Sequence, residues 1–400
     1  MNKKSSIFIY ALVAVAFAAC SKGGDGGSTP PASTITATIT GASTDRSVSG
    51  SSITFNVALS AAPSADVSLH YASLATGNAV AGKDYTAVEG TLVIPAGTKS
   101  GSIKVDVSAD SLRQPNQTFQ VQLSDAKNCS IKTDKATGTI INENGLYFPV
   151  DNTGYTTPDN YSGYTLAWSD EFNGNAVNTA DWTFEAGNNM GWGNAELENY
   201  TDRTQNAFVS KGNLIIEARR EEYGGSQYTS TRMITKNKKT FKFGRVDIRA
   251  KLPSTKGIWP ALWMLGNNID AVGWPACGEI DIMELLGQEP GKMYSTLHWG
   301  ANVASHDSKG TNYVLPSGTF DQQFHVFSLV WQQDDLKFLV DDTQVFEGKS
   351  SDVAGNPYPF NSDFFFIFNI AVGGNWPGAP DNTTVFPQRM VVDYVRVFQK

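Results

Sequence analysis

With 400 residues and a formal net charge of −8, the chain is too long for one ordinary sandwich and comfortable for two domains. The acidic balance argues against nucleic acid, which needs a basic face to neutralise phosphates, and mildly against a polyanionic substrate. Frequent glycine and aromatics with only 18% charged residues suit an all-β protein with many turns.

In chain order, Lys3 and Lys4 precede an apolar run from Ile7 to Ala19 that ends in small residues before Cys20. The run is a signal-peptide pattern, too short to span a bilayer comfortably. Small residues before a cysteine resemble a bacterial lipoprotein signal over 1–20. That resemblance implies lipidation at Cys20 and a lipid anchor in the cell envelope, at the outer membrane or cell surface of a bacterium. Ordinary secretion with an incidental cysteine is the alternative. Residues 21–33, rich in glycine with Pro30-Pro31, read as a flexible linker.

From 34 to 145 short β-branched runs alternate with turns, as in Ile53-Thr-Phe-Asn-Val-Ala-Leu and Gly101-Ser-Ile-Lys-Val-Asp-Val. Period-two alternation lets each run bury one face, which predicts a smaller, immunoglobulin-like β-sandwich. Gly82-Lys-Asp-Tyr-Thr, Gly90-Thr-Leu-Val-Ile-Pro-Ala-Gly and Thr137-Gly-Thr-Ile-Ile-Asn resemble Calx-beta domains. Members of that family often bind calcium, but the segment Asp110-Ser-Leu-Arg-Gln-Pro-Asn-Gln carries few carboxylates for a hard cation. All nine tryptophans lie beyond residue 160, and Phe55, Tyr71, Tyr85 and Phe119 are needed for the core. A spacer is therefore favoured over a carbohydrate-binding module.

Residues 146–163, rich in Gly, Pro, Asn and Asp, read as a second linker. Over 164–400 aromatics become frequent and strands lengthen, predicting a larger β-sandwich of jelly-roll type. Cys129 and Cys277 fall in different predicted domains, so a disulfide between them is not expected. The four histidines (His70, His298, His306, His325) lack metal-ligand spacing.

The informative segment is Gly278-Glu-Ile-Asp-Ile-Met-Glu-Leu-Leu-Gly287. In a regular strand Glu279 and Asp281 share one face, while Glu284 falls on the other with the isoleucines. One extra residue, such as Met283, would form a β-bulge and bring Glu284 back beside them. Three acids on one face repel, and no basic residue in the strand pairs with them. Calcium sites of this kind usually sit on loops. Glycoside hydrolysis does want this set: two carboxyls roughly 5 Å apart in a retaining enzyme, with a third keeping their protonation states apart.

Together with Leu166-Ala-Trp-Ser-Asp-Glu-Phe-Asn, Gly191-Trp-Gly-Asn-Ala-Glu-Leu-Glu-Asn-Tyr, Gly257-Ile-Trp-Pro-Ala-Leu-Trp-Met-Leu-Gly and Ala371-Val-Gly-Gly-Asn-Trp-Pro-Gly, the segment resembles glycoside hydrolase family 16, on the bulged, laminarinase-like branch. The resemblance implies a β-jelly-roll and endo-hydrolysis of a polysaccharide, β-1,3-glucan in particular. It implies Glu279 as nucleophile, Glu284 as acid/base and Asp281 as assisting carboxylate, with no cofactor for catalysis. It further implies sugar contacts from Asn194, Arg232, Trp259, Trp263, Trp274, His298, Asn369 and Trp376, and a structural calcium held by Glu171, Gly212 and Asp393. From spacing alone, Trp259 and Trp263 share a face, and core packing and sugar stacking weigh equally. Agarose, mixed-linkage glucan, transglycosylation and glucan binding without cleavage remain alternatives. The expected partners are polysaccharide and, through Cys20, a membrane, with the protein monomeric.

Overall fold

Alternation governs the strands of the first half. In Ser51–Leu59 the side chains of Ile53, Phe55, Val57 and Leu59 are buried, and the residues between them are more exposed. A four-stranded sheet (order 100–107, 51–59, 36–40, 130–133) packs on a five-stranded one (42–45, 135–141, 117–127, 67–74, 89–94). The computed structural model describes residues 35–353 and 355–400. The expected signal segment, Cys20 and the expected linker to residue 33 lie outside the described residues. Among the described residues no helix is long and apolar enough to cross a membrane.

Between these sheets Phe55, Tyr85 and Phe119 are fully buried, with Tyr85 stacked on Phe119 at 4.1 Å and Tyr71 packed against the edge of the core. The aromatics are thus consumed by the core. The large apolar side chains exposed on this sandwich are Val48, Val80 and Val93, none of them a ring on which sugar could stack. Its acids are also committed: Arg46, itself buried, pairs with Asp84 at 3.0 Å and Asp110 at 3.3 Å. An internal guanidinium stands against the carboxylates that a cation would use.

The second half forms two facing sheets around one apolar core, a jelly-roll sandwich. The outer sheet has ten strands, centred on 213–223, 388–399, 244–251 and 325–332. The inner sheet has seven, in the order 183–185, 232–234, 364–372, 258–266, 279–285, 292–299, 307–314. Even-numbered residues of 364–372 and 258–266, such as Phe366, Phe368, Leu262 and Met264, fill the core. Odd-numbered residues, such as Asn369, Trp259 and Trp263, point to the opposite face, where the site lies. Cys129 and Cys277 are both free thiols.

Segment 146–163 lies along the outer sheet. Tyr155 N bonds Phe324 O, Thr157 bonds the Tyr394 hydroxyl, and Arg249 donates to the carbonyls of Asn152 and Tyr155. Where the two sandwiches meet, Arg113 of the first reaches into the second. Its guanidinium pairs with Glu217 at 3.0 Å, donates to the carbonyls of Thr204 and Gln205, and lies 3.8 Å over the Phe208 ring. Glu217 also meets Arg389 at 2.6 Å, while Arg219 pairs with Glu143 at 2.9 Å.

Candidate active site

The acidic strand, Glu279–Leu285, lies between Ile258–Gly266 and Lys292–Trp299. Its pairing decides the question that the sequence left open. Glu279, Asp281 and Glu284 stand opposite His298, Thr296 and Tyr294. Those partners alternate along a regular strand and share one face, so the three acids do too. The register breaks between Asp281 and Glu284, where Ile282 and Met283 stand together against Ser295, forming the expected bulge. Both Ile282 and Met283 are buried in the core, and the Ser295 hydroxyl caps the Ile282 carbonyl at 2.9 Å. Two consecutive apolar side chains pointing inward hold the slip in place.

The strand begins at Gly278, whose φ of +81° and whose closeness to Pro359 (2.7 Å from a would-be Cβ) exclude a side chain.

Each glutamate is held by one indole. Trp274 Nε1 donates to Glu279 Oε2 at 2.8 Å, and Trp259 Nε1 donates to Glu284 Oε1 at 3.0 Å. One oxygen of each carboxyl stays free for chemistry. His298 Nε2 lies 3.2 Å from Asp281 Oδ2 and 3.9 Å from Glu279 Oε1. Among the described residues no lysine or arginine forms an ion pair with any of the three acids.

The electrostatic result follows from burial beside like charge. Burial, then the charge of Asp281, pushes Glu279 up to about 8, while His298 and the Trp274 hydrogen bond act in the opposite direction. Burial raises Asp281 as well. Glu284 stands well above the ordinary carboxylate range, through burial and then repulsion from Asp281 and Glu279. Their charges raise one another's proton affinity, so the three titrate as a set. One ionised and one protonated carboxyl on the same face is the state that a nucleophile and an acid require.

The remaining sugar-contact candidates fall around these acids. Trp263 Nε1 donates to Asn369 Oδ1 at 2.8 Å, and Asn369 Nδ2 donates to the Tyr200 hydroxyl at 3.0 Å. Tyr200 donates to Glu196 at 2.9 Å, and Asn194 Nδ2 donates to the other Glu196 oxygen at 3.1 Å. Arg232 stands opposite Asn369, its guanidinium between the rings of Trp192 (5.0 Å) and Trp263 (4.7 Å), and pairs with Glu185 at 2.6 Å. Trp376, 39% exposed, packs edge-on against Trp259 at 5.4 Å and Tyr294 at 4.8 Å. Trp259 and Trp263 therefore line the cleft face, not the core.

Sequence reasoning missed Tyr294, Tyr200, Glu196, Trp192 and His306. For Tyr294 a signal existed: it is two residues from Thr296 and four from His298 on an alternating strand. For His306, in a turn, none did.

Glu171, Gly212 and Asp393 are outside the cleft. Glu171 follows the outer-sheet strand 165–170 and forms a two-pronged pair with Arg396 (2.7 and 2.8 Å). Asp393 meets Arg249 at 2.8 Å. Gly212 sits in the tight turn before strand 213–223 with φ +78°. Both carboxylates are already neutralised by arginine, so the set fits a shared calcium ion poorly.

A jelly-roll with paired, indole-held carboxylates in an aromatic cleft defines a polysaccharide-cleaving glycosidase, one that needs no cofactor for its chemistry. The profile of the Glycosyl hydrolases family 16 matches residues 194–396, and that of the Calx-beta domain matches 39–144. The chain is 41% identical over 269 residues to glucan endo-1,3-beta-glucosidase A1 of Niallia circulans, covering 62% of this chain but 39% of that protein. It is 39% identical over 247 residues to a beta-glucanase of Rhodothermus marinus, covering 59% of this chain and 85% of that one. The laminarinase catalytic domain of Thermotoga maritima superposes with a TM-score of 0.56 at 49% identity, over 59% of this chain and 98% of the domain. The protein belongs to glycosyl hydrolase family 16.

Proposed function

We propose that the protein is a retaining endo-β-1,3-glucanase acting on laminarin-type polysaccharide. The observation that carries the mechanism is the bulge that sets Glu279, Asp281 and Glu284 on one face with, among the described residues, no lysine or arginine paired to them. In the first step the free oxygen of Glu279 attacks the anomeric carbon. The glycosidic C–O bond breaks as Glu284 delivers its proton to the departing oxygen, leaving a glycosyl ester on Glu279. In the second step Glu284, now ionised, takes a proton from water; the water oxygen displaces Glu279, and the anomeric configuration is retained. Asp281 and His298 hold Glu279 in place between the two steps.

The substrate reading draws on the relatives and on the cleft's charge. A sulfated galactan would need cations placed against its sulfates. Arg232 is the cation in the cleft contact network, and it is occupied by Glu185 and two indoles. Arg245 lies on the outer sheet, paired with Asp247 and Asp342. Neutral glucan stacked on Trp259, Trp263 and Trp376 suits such a cleft.

Calcium at Glu171, Gly212 and Asp393 enters no step of this reaction. The remainder of the reading is a monomer with no nucleic-acid partner, exported and tethered to the bacterial envelope through a lipid on Cys20. Metabolic labelling with a palmitate analogue, abolished in C20A, tests the anchor.

The decisive assay is reducing-sugar release from laminarin, lichenan and agarose, beside Glu279→Ala. Release from laminarin that vanishes in the variant is the expected result. Activity on agarose alone would move the substrate, and binding of laminarin without cleavage would make the protein a lectin.

A further inference from the structure

Beside the nucleophile three rings cluster: Trp274, His306 and His298. Two of them belong to the site above. His306, the third, sits in the turn after strand 292–299, and its place is built. Asn302 Oδ1 accepts the backbone N–H groups of Ala304 and Ser305, closing a single 3-10 turn over 303–305. At Gly300, with φ +145°, a Cβ would lie 2.5 Å from the Ser305 carbonyl, so the chain folds back there only with glycine.

Among the described residues His306 forms no hydrogen bond or ion pair with Glu279 or Asp281, but it meets His298 and Trp274, which do contact them. Its Nε2 is 2.9 Å from His298 Nδ1, and the two imidazoles lie nearly parallel at 5.1 Å. Its ring centre is 4.7 Å from that of Trp274, the indole that donates to Glu279. On the far side of His298, Nε2 lies within ion-pair distance, 3.2 Å, of Asp281 Oδ2, a buried oxygen that has no hydrogen-bond partner among the described residues.

We propose that His306 is a positioning residue for the nucleophile: it fixes the tautomer of His298 and braces Trp274. A neutral imidazole carries one proton, and the hydrogen bond made by one nitrogen decides which form the other presents. With His306 Nε2–H donating to His298 Nδ1, the His298 proton sits on Nε2 and faces Asp281. Without that donor His298 is free to place its proton on Nδ1. A lone pair then faces the Asp281 oxygen, and the pair repels. Asp281 and Glu279 lose their common neighbour, and Trp274 loses a packing partner.

The proposal rests on Glu279 being the nucleophile, and two measurements separate the two ideas. Initial rates on laminarin from about pH 4 to 9 compare the full chain with Glu279→Ala, His306→Ala and His306→Gln. Wild-type release that is lost in E279A upholds the reading of the reaction. H306A is then expected to lower kcat about tenfold with KM held within about twofold and the acidic limb of the pH profile displaced. H306Q, whose amide N–H replaces the donor, recovers most of kcat. The groups facing the histidine pair in that titration are Asp281, Glu279 and Glu284 on the acidic strand and Asp307 beside His306; the charge of Arg232 also reaches Glu279.

The second measurement needs no turnover: ¹⁵N shifts of the His298 ring. A proton on Nε2 in the wild type, redistributed to Nδ1 in H306A, is the expected result. A wild-type proton on Nδ1 overturns the proposal, as does H306A with unchanged kcat and pH profile. A rise in KM at constant kcat overturns it too, because His306 would then be a sugar contact. So does H306Q behaving like H306A with both melting early, which would make the role merely structural.

Discussion

Two of the places where the protein buries acidic side chains treat them in opposite ways. At the junction of the sandwiches Glu217 is surrounded by Arg113, Arg389 and Arg219 at 3.0, 2.6 and 3.7 Å. In the cleft Glu279, Asp281 and Glu284 have, among the described residues, no arginine or lysine partner; His298 and two indole donors stand beside them. Where cations balance the charge, the acids join one part of the fold to another. Where they do not, proton affinity rises, as the proposed pairing of an acid with a nucleophile requires.

The sharpest way to test that contrast is to remove the acids of the cleft. Glu279→Ala should abolish hydrolysis, and Glu284→Ala should lower it by roughly 10²–10⁴-fold. Added azide distinguishes the two roles, since each variant should yield a glycosyl azide of opposite anomeric configuration. Matching configurations would refute the assignment of nucleophile and acid.

Next in size is the junction. Arg113→Ala leaves a buried Glu217 one cation short and should cost about 3 kcal/mol in urea unfolding, with kcat per folded molecule unchanged. A loss below about 0.5 kcal/mol, the range of an ordinary surface change, would mean that the two sandwiches do not depend on this contact.

Stability against pH gives a smaller effect with a definite sign. Glu279, Asp281 and Glu284 have folded-state proton affinities raised above their unfolded values, so the folded protein holds more protons between about pH 4.5 and 8. Stability from this set is full below the unfolded values and declines as pH rises through that window. Glu284→Gln removes one ionisation and should melt higher than wild type at pH 7.5, with the gap narrowing at pH 4.5. A gap that widens on acidification would contradict the uncompensated cleft.

The smallest effect belongs to Glu171 and Asp393, which resemble the junction in being paired with arginine. Chelation of calcium should leave kcat unchanged and move the melting temperature by less than about 2 °C, the equivalent of under about 1 kcal/mol for a domain of this size. A larger drop would show that the arginine pairs give way to an ion.

Much of this was legible in the chain. Period-two alternation in runs such as 51–59 marks strands because a pleated backbone sends neighbours to opposite faces, whatever surrounds them. The acids were legible for a related reason: carboxyls one, three and six residues after Gly278 amid isoleucines have no helical or capping use. Even the bulge could be inferred, since without it Glu284 would point into the core. The place of the first sandwich's rings was also legible: Phe55, Tyr85 and Phe119 are buried, because a small core with few rings spends them inside.

What the sequence determined by itself, then, is local: strand faces, the acidic triplet, the indoles four residues apart. Tertiary structure alone decided which indole serves which carboxyl, that Asn369 and Tyr200 link Trp263 to Glu196, and that segment 146–163 runs along the outer sheet instead of hanging free. It also placed Arg113 against Glu217 and His306 against His298. These contacts join residues on different strands or in turns, where no periodicity relates one position to another. Only the closing of the sheets, driven by burial of the apolar faces, brings them within hydrogen-bond range.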